Sequence, residues 1–321
     1  MDVLYTVDHK YVKHMLSSMY SLVESNPDIY LNVHIIEDKF DKHDYELLDY
    51  VVGLLDNPKL NVKLYDFKRI EKEIEKYEMP NWKGSRMANA RIFFSKEIKN
   101  ASHLLYLDSD TYVVNRVIGL NQHFGPISMV KDDMSMVKMK EIYPGLKHYF
   151  NSGVIWINVD KWMELDFDKR IADTLKNRKV EFEFPDQDAL NIAFKDDIEV
   201  LPPEYNMLSS AYYYNKFFLS RYYKGTDIEK YPMDEMQKAK KSPIILHGTP
   251  LFVGKKYTLV HDLHPYHKYY VEYQSRLFGE DFPNEELSFG ERVVANAGLH
   301  VKALVPKKAR VKIKEFMGVH E

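Results

Sequence analysis

The stretch HLLYLDSDTYVV, residues 103–114, decides how this chain is read. An apolar run ends in Asp108 and Asp110, with Ser109 between them. Two carboxylates at the end of a buried strand repel each other unless a cation or a proton lies between them. The run is continuously apolar, the pattern of a strand covered on both faces, as in parallel sheets. Open α/β sheets bind ligands outside the carboxyl ends of such strands, so the pair marks a candidate divalent-metal site. A bare Asp-x-Asp is equally compatible with a solvated turn whose carboxylates cap the chain, and the surrounding sequence has to discriminate.

Working outward from that strand, the chain alternates between two periodicities. VLYTV (3–7) is a short apolar run bounded by Asp8, and Tyr11, Met15, Met19 and Leu22 then recur at helical spacing. LNVHIIE (31–37) reads as a strand, DKHDYELLDYVVGLL (41–55) as a helix, LNVKLYDF (60–67) as a strand, and residues 86–98 as a further helix. Strands separated by helices of this length imply βαβ units, hence an α/β fold with a Rossmann-like, mostly parallel central sheet flanked by helices.

Composition narrows the function classes. The chain has 321 residues, no cysteine and a formal net charge of −3. Disulfides, thiolate metal sites and a cysteine nucleophile are excluded, and no global charge attracts nucleic acid. The opening MDVLYTVD lacks a basic, apolar leader, and no run approaches the roughly 18 apolar residues of a membrane span. The expectation is a soluble protein of the cytosol.

Two metal-dependent chemistries begin with such a strand. The first is the haloacid dehalogenase type of phosphatase, whose DxDx[TV] pattern wants Thr or Val where this chain has Tyr112. That motif also opens its domain, whereas three strand-like segments precede this one; Asp132 and Asp133 would have to serve as its late acidic pair. The second is sugar transfer from a nucleotide diphosphate, in which the acidic pair holds a metal bridging two phosphates.

The rest of the chain favours the second. VLYTVDHKYVKHMLSSMYSL at the start, NARIFFSKEI, YLDSD, FNSGVIWINVDKW (150–162), PDQDALN (185–191) and ILHG (245–248) follow one another in an order and spacing that resemble glycosyltransferase family 8. That family includes bacterial lipopolysaccharide glucosyl- and galactosyltransferases and, more distantly, glycogenin. The likeness spans residues 1 to about 250 and implies a GT-A fold. It also implies a retaining transfer of glucose or galactose from a UDP-sugar to a saccharide or lipid-linked acceptor, in lipopolysaccharide or other cell-surface polysaccharide synthesis. A nucleotide-sugar-binding protein without turnover is the third alternative, beside the phosphatase.

The resemblance carries over residue by residue. Asp108, Asp110 and His247 of ILHG are implied as the metal ligands. Two carboxylates and an imidazole suit Mn²⁺ better than Mg²⁺, which is the alternative. Thr6, Asp8, Tyr11 and Ser109 are implied in donor binding; Asp8 is equally suited to capping the helix after it. Position 10, often Asn in relatives, is Lys10 here. Arg91 takes the place of the family arginine near the donor sugar and phosphates, with Arg86 as its alternative. Asn151 and Gly153 are implied against sugar hydroxyls, although NSG also reads as an ordinary turn before the strand VIWINV.

Asp186, Gln187 and Asp188 are the implied catalytic group with Arg91. Pro185 and the acidic residues also suit a helix start. Retention proceeds either through a glycosyl ester on Asp188 or by a same-face route in which Gln187 supports the positive charge at the sugar ring; the second is favoured. Lys255 or Lys256 stands in for the family's diphosphate lysine. The loop MPNWKGS (79–85) and the aromatic run at 206–225 are candidate walls of an acceptor cleft.

Residues 1–260 are expected to form the nucleotide-sugar-binding catalytic domain and 261–321 a mainly helical, basic extension. PYHKYYVEYQSRLF (265–278) reads as a helix. VKALVPKKARVKIKEF (301–316) clusters Lys302, Lys307, Lys308, Arg310, Lys312 and Lys314 with apolar residues between them, a candidate for peripheral contact with an anionic membrane at its inner face. Oligomeric state is left open.

Overall fold

The computed structural model describes residues 1–82, 84–132, 145–178, 181–209, 211, 231–249 and 266–279. Strand β1 (Asp2–Asp8) buries its five central residues, as a strand covered on both faces must. Helix α1 (Val12–Ser25) packs Met15, Leu16, Met19 and Leu22 inward and also buries Ser17, Ser18 and Ser21. β2 (Leu31–Asp38) runs parallel to β1 in the register Val3↔Val33. α2 (Lys42–Leu55) starts at a capping box in which Asp41 accepts from the Asp44 N–H and Asp44 accepts from the Asp41 N–H. β3 (Leu60–Asp66) follows, and α3 (Phe67–Lys76) buries Phe67, Ile70 and Ile74 on one face.

The helix expected over 86–98 is instead wound as two short 3₁₀ turns, Met87–Ile92 and Phe94–Lys96. Asn89, Ala90, Arg91, Ile92, Phe93 and Phe94 are all buried in succession. A segment with no solvent face gains nothing from a 3.6-residue period, and packing sets its winding.

β4 (His103–Leu107) pairs in parallel with β1 through Val3↔Leu105, and the short β5 (Thr111–Val113) follows the acidic turn. β6 (Ile127–Lys131) and β7 (Phe150–Asn158) come next; β7 lies antiparallel between β4 and β6. The FNSG segment is therefore not a turn before a strand, because Asn151, Ser152 and Gly153 belong to β7 itself. α4 (Val159–Glu164), α5 (Phe167–Lys176) and α6 (Pro185–Ala193) lead to β8 (Ile198–Val200), β9 (Met207–Leu208), α7 (Met233–Lys241), β10 (Ile245–His247) and α8 (His267–Phe278).

The seven-stranded sheet has the order β3–β2–β1–β4–β7–β6–β8, mostly parallel with β7 as the reversed strand. Its order turns back at β1, between β2 and β4, the switch point at which such sheets open a crevice. The core beside it is strongly aromatic. Trp162 lies 5.4 Å from Phe94 and 5.0 Å from Phe167, which stacks on Phe194 at 5.6 Å. These separations suit offset and tilted ring packing.

The chain divides into two compact units, one of Met1–Met207 with Asp227–His247 and the other of Leu208–Thr226 with Gly248–Glu321. In the second unit α8 buries Tyr273, Gln274 and Leu277 and ends at Gly279, whose φ of 64° makes it a left-handed cap. Lys255, Lys256, Asp133, most of the aromatic run at 206–225 and the basic run at 301–316 lie outside the described residues. Among the described residues no helix is long and apolar enough to cross a membrane.

Candidate active site

β4 delivers its carboxyl end to a tight turn: the Asp108 N–H donates to Gly153 O at 2.8 Å, and the Thr111 N–H donates to Asp108 O at 3.2 Å. β10 pairs antiparallel with β5 so that His247 stands opposite Thr111. The register thus carries an imidazole to two carboxylates more than 130 positions away in sequence. His247 Nε2 lies 3.3 Å from Asp110 Oδ1 and 3.6 Å from Asp108 Oδ2. One ligand atom from each of the three residues falls within 4.8 Å of the others.

Gly153 clears the ground for this cluster. A Cβ built there would sit 2.1 Å from His247 Cε1 and 2.9 Å from Asp108 Oδ2, so any other residue would push the ligands apart. The space left, and a donor set of two carboxylate oxygens and one imidazole nitrogen, fit a divalent cation. Electrostatics separate the two carboxyls. Burial, reinforced by Asp110, raises Asp108 above the ordinary carboxylate range against the pull of Arg91 and His247. Burial works in the same direction on Asp110, but the contact with His247 outweighs it and the net shift is downward. For His247 burial favours the neutral ring, and Asp110 followed by Asp108 reverses this, so its pKa is raised.

Arg91 is buried behind the cluster, not exposed on the surface. Its Nη2 meets Asp108 Oδ1 at 2.8 Å, Nε lies 3.3 Å from Asp186 Oδ2, and Nη1 donates to Ser152 O at 2.7 Å. The guanidinium also stacks over Tyr106, 4.4 Å from the ring centre. Burial alone would lower its pKa, yet Asp108 and Asp186 prevail and raise it. Arg91 therefore holds two of the expected site carboxylates in place. Tyr106 donates to Asp108 Oδ1 at 2.7 Å and accepts from Thr6 Oγ1 at 3.2 Å, which puts Thr6 behind the acidic turn.

α6 begins at Pro185 and is pinned to β7 by Asn191, whose amide accepts from Phe150 N at 2.7 Å and donates to Phe150 O at 2.8 Å. This lays the PDQD turn against the FNSG strand. Asp186 Oδ2 accepts from Ser152 Oγ at 2.8 Å, and Gln187 Oε1 accepts from the Ser152 N–H at 3.0 Å. Asp188 has a different role. Its Oδ2 accepts from the N–H groups of Glu183 and Phe184 at 2.8 and 3.1 Å, capping the helix start, while its Oδ1 accepts from the Tyr149 hydroxyl. Asp132, which the phosphatase pattern would need for its late acidic pair, instead accepts from Asn151 at 3.1 Å and Gln187 at 3.4 Å.

At the carboxyl ends of β1 and β2 opens a cleft of about 580 Å³ lined by Asp8, Lys10, Asp38, Glu71, Ser85 and Arg86 among others. Asp8 also caps the turn that follows it, accepting from the Lys10 N–H at 3.0 Å. Tyr11 is partly exposed just beyond. Arg86 lies on the cleft wall, paired with Glu75 at 2.6 Å and Glu71 at 3.5 Å. It does not share the buried position of Arg91.

Sequence reasoning passed over Tyr106, Tyr149 and the amide of Asn206. Tyr106 carried a signal: it stands two residues before Asp108 in a strand, hence on the same face. For Asn206 the signal was Pro202–Pro203, which starts the one-turn helix Pro203–Asn206 that aims it.

A mostly parallel sheet with an Asp–Asp–His cluster able to hold a cation, and a cleft at its carboxyl edge, is the arrangement of a GT-A glycosyltransferase. The chain belongs to glycosyl transferase family 8, whose model matches residues 2–250. Membership takes the place of the phosphatase alternative. Among curated relatives, the lipopolysaccharide 1,2-glucosyltransferase of Escherichia coli K12 is 27% identical over 219 residues, covering 65% of this chain and 62% of the relative. The lipopolysaccharide 1,3-galactosyltransferase of Salmonella typhimurium LT2 is 24% identical over 225 residues, covering 66% and 65% respectively. The chain thus spans less than two thirds of the length of these relatives. Of solved structures, the galactosyltransferase LgtC in complex with donor and acceptor sugar analogues superposes with a TM-score of 0.62 at 17% identity, covering 97% of this chain and all of that one. The bifunctional glycosyltransferase WbbM gives 0.67 at 17% identity over 85% of this chain and 49% of that one. These structural matches establish the fold.

Proposed function

We propose that the protein is a retaining hexosyltransferase that moves glucose or galactose from a UDP-sugar to a saccharide or glycolipid acceptor, in the synthesis of lipopolysaccharide or another cell-surface polysaccharide. The observation that carries this reading is the convergence of Asp108, Asp110 and His247 at the end of β4, next in the sheet to β1, whose Asp8 lines the cleft. The cleft takes the nucleoside, with Asp8 accepting from its base or ribose and Tyr11 at the rim. The diphosphate then points across the switch point to the triad.

In that arrangement Asp108, Asp110 and His247 would hold the divalent cation, Mn²⁺ in this reading, and the bound cation would supply Lewis-acid stabilisation of negative charge on the UDP leaving group. Lys255 or Lys256 adds a further cation to the diphosphate. Asp186 and Asn151 orient the sugar hydroxyls, with Gly153 and Ser109 beside them, and Arg91 fixes Asp108 and Asp186 against rotation. Gln187 lies under the sugar ring, its amide held by the Ser152 N–H. Asp188 is 1% exposed and accepts two backbone N–H groups at the helix start and the Tyr149 hydroxyl, so both of its oxygens are engaged. With Oδ2 engaged at the helix start and Oδ1 by Tyr149, this buried carboxylate is a poor nucleophile, and the same-face route is favoured over a glycosyl ester.

The test is incubation with a panel of labelled UDP-hexoses, Mn²⁺ and saccharide acceptors, with UDP release measured and the product anomer read by NMR. Transfer with an α-linked product from an α-donor supports the reading. No UDP release from any hexose donor, with water or sugars as acceptor, overturns it.

A further inference from the structure

Amide side chains can be turned end for end, so which end is oxygen must be read from partners whose role is fixed. β7 provides one such partner, because a backbone N–H only donates. The Gly153 N–H donates to Asn151 Oδ1 at 3.0 Å. The Asn151 amide nitrogen is therefore turned to Asp132 Oδ2, an acceptor, at 3.1 Å. Asn206 meets the same Asn151 Oδ1 at 2.9 Å and must do so through its Nδ2, since two carbonyl oxygens cannot bond each other. This leaves the Asn206 carbonyl oxygen facing His247 Nδ1 at 3.0 Å. Oxygen accepts, so Nδ1 carries the hydrogen and Nε2 is the nitrogen turned to Asp108 and Asp110.

We propose that Asn206 is the positioning residue of the cation centre. Oriented by Asn151 and the Gly153 N–H, it locks His247 as the Nδ1–H tautomer and presents Nε2 to a divalent cation. The inference rests on the triad's role as set out under Proposed function; in cation-free protein the Asn206 carbonyl at Nδ1 acts against Asp110 and Asp108, which favour a hydrogen on Nε2. Asn206 is 1% exposed and His247 5%, so water has little room to take the place of the amide if it is removed. A metal-ligating histidine whose other ring nitrogen is held in this way has a fixed ring plane and a more basic donor atom.

The experiment uses the full chain and the variants Asn206→Ala and Asn206→Asp, the latter keeping an acceptor opposite Nδ1. Long-range ¹H–¹⁵N NMR of cation-free protein, at alkaline pH where imidazole is neutral, reads the His247 tautomer. Free Mn²⁺ counted by EPR, without donor or turnover, reads the affinity, and thermal melting confirms that each variant folds. The wild-type ring is expected to be protonated at Nδ1. Asn206→Ala should shift it toward the Nε2–H form usual in solution and weaken Mn²⁺ binding by roughly 10- to 100-fold, the range for a lost partner of a metal-bound histidine. Asn206→Asp should restore the Nδ1–H form. A wild-type ring protonated at Nε2, or an Asn206→Ala protein with both tautomer and affinity unchanged, overturns the proposal. Should Asn206→Ala fail to fold, the wild-type and Asn206→Asp spectra decide it. A tautomer shift in protein of which no form binds Mn²⁺ would support the role of Asn206 and count instead against the triad as a cation site.

Discussion

Gly153 is a glycine for want of space, not for backbone freedom: its Cβ would collide with the His247 ring and the Asp108 carboxylate. Because a buried imidazole held by Asn206 has to give way, Gly153→Ala should melt below the parent and lose most of its Mn²⁺ affinity by EPR. Equal affinity would show that the three ligands do not close on one point. The motif FNSG was legible, but the reason for its glycine was not, because that reason lies on β10, far off in sequence. Asp188 gives the converse case. Adjacent to Gln187 in the motif, it reads as part of the catalytic group, yet its partners are helix-start N–H groups and Tyr149. Asp188→Ala would leave buried donors unmet and destabilise the fold by about 1–3 kcal/mol in urea titration. Stability unchanged by that substitution would return Asp188 to the list of free carboxylates.

At the scale of elements, the strands were readable wherever an apolar run had a polar boundary, as β1, β2 and β4 do. The segment 87–96 was not, since periodicity reports a solvent face and residues 89–95 are buried without a break. β5, β9 and β10 are too short to leave a pattern; β5 is recognised only through its partners. Two of the buried serines of α1 meet it there: Ser18 Oγ lies 2.9 Å from Thr111 Oγ1, and Ser21 Oγ accepts from the Val113 N–H at 2.9 Å.

β8 offers a pH test of the sheet edge. Glu199 accepts from the Gly125 N–H at 2.7 Å and from His123 at 2.9 Å. Burial would raise its pKa, but the Gly125 N–H and then His123 outweigh it and the shift is downward. A carboxyl with a depressed folded pKa contributes stability above its unfolded pKa and loses it as pH falls through the folded value. Glu199→Gln should therefore melt below the parent at neutral pH and converge with it in acid. Parallel curves at all pH values would contradict this.

Across the whole molecule, one aromatic core supports the face of the sheet that carries α6 and hence the PDQD turn. Phe194 packs on Trp162 and Phe167 and is fully buried, so Phe194→Ala should cost about 3–5 kcal/mol by denaturant titration. A loss below about 1 kcal/mol would mean that the cluster closes over the gap. The order of motifs from residue 1 to about 250 made the family legible, and the family match over 2–250 agrees with that span. The polar chain from His247 through Asn206, Asn151 and Asp132 to Gln187 was not legible. Its members are scattered between positions 132 and 247, and only the folded sheet makes them neighbours.

The proposed function requires that Asp108, Asp110 and His247 hold a divalent cation through which a uridine diphosphate sugar is bound. Calorimetric titration of UDP-hexose into the parent protein and Asp110→Asn, each with and without Mn²⁺, tests it most directly. Heat of binding is predicted only for the parent with Mn²⁺ present. Equal binding without the cation, or undiminished binding by Asp110→Asn, would contradict the account.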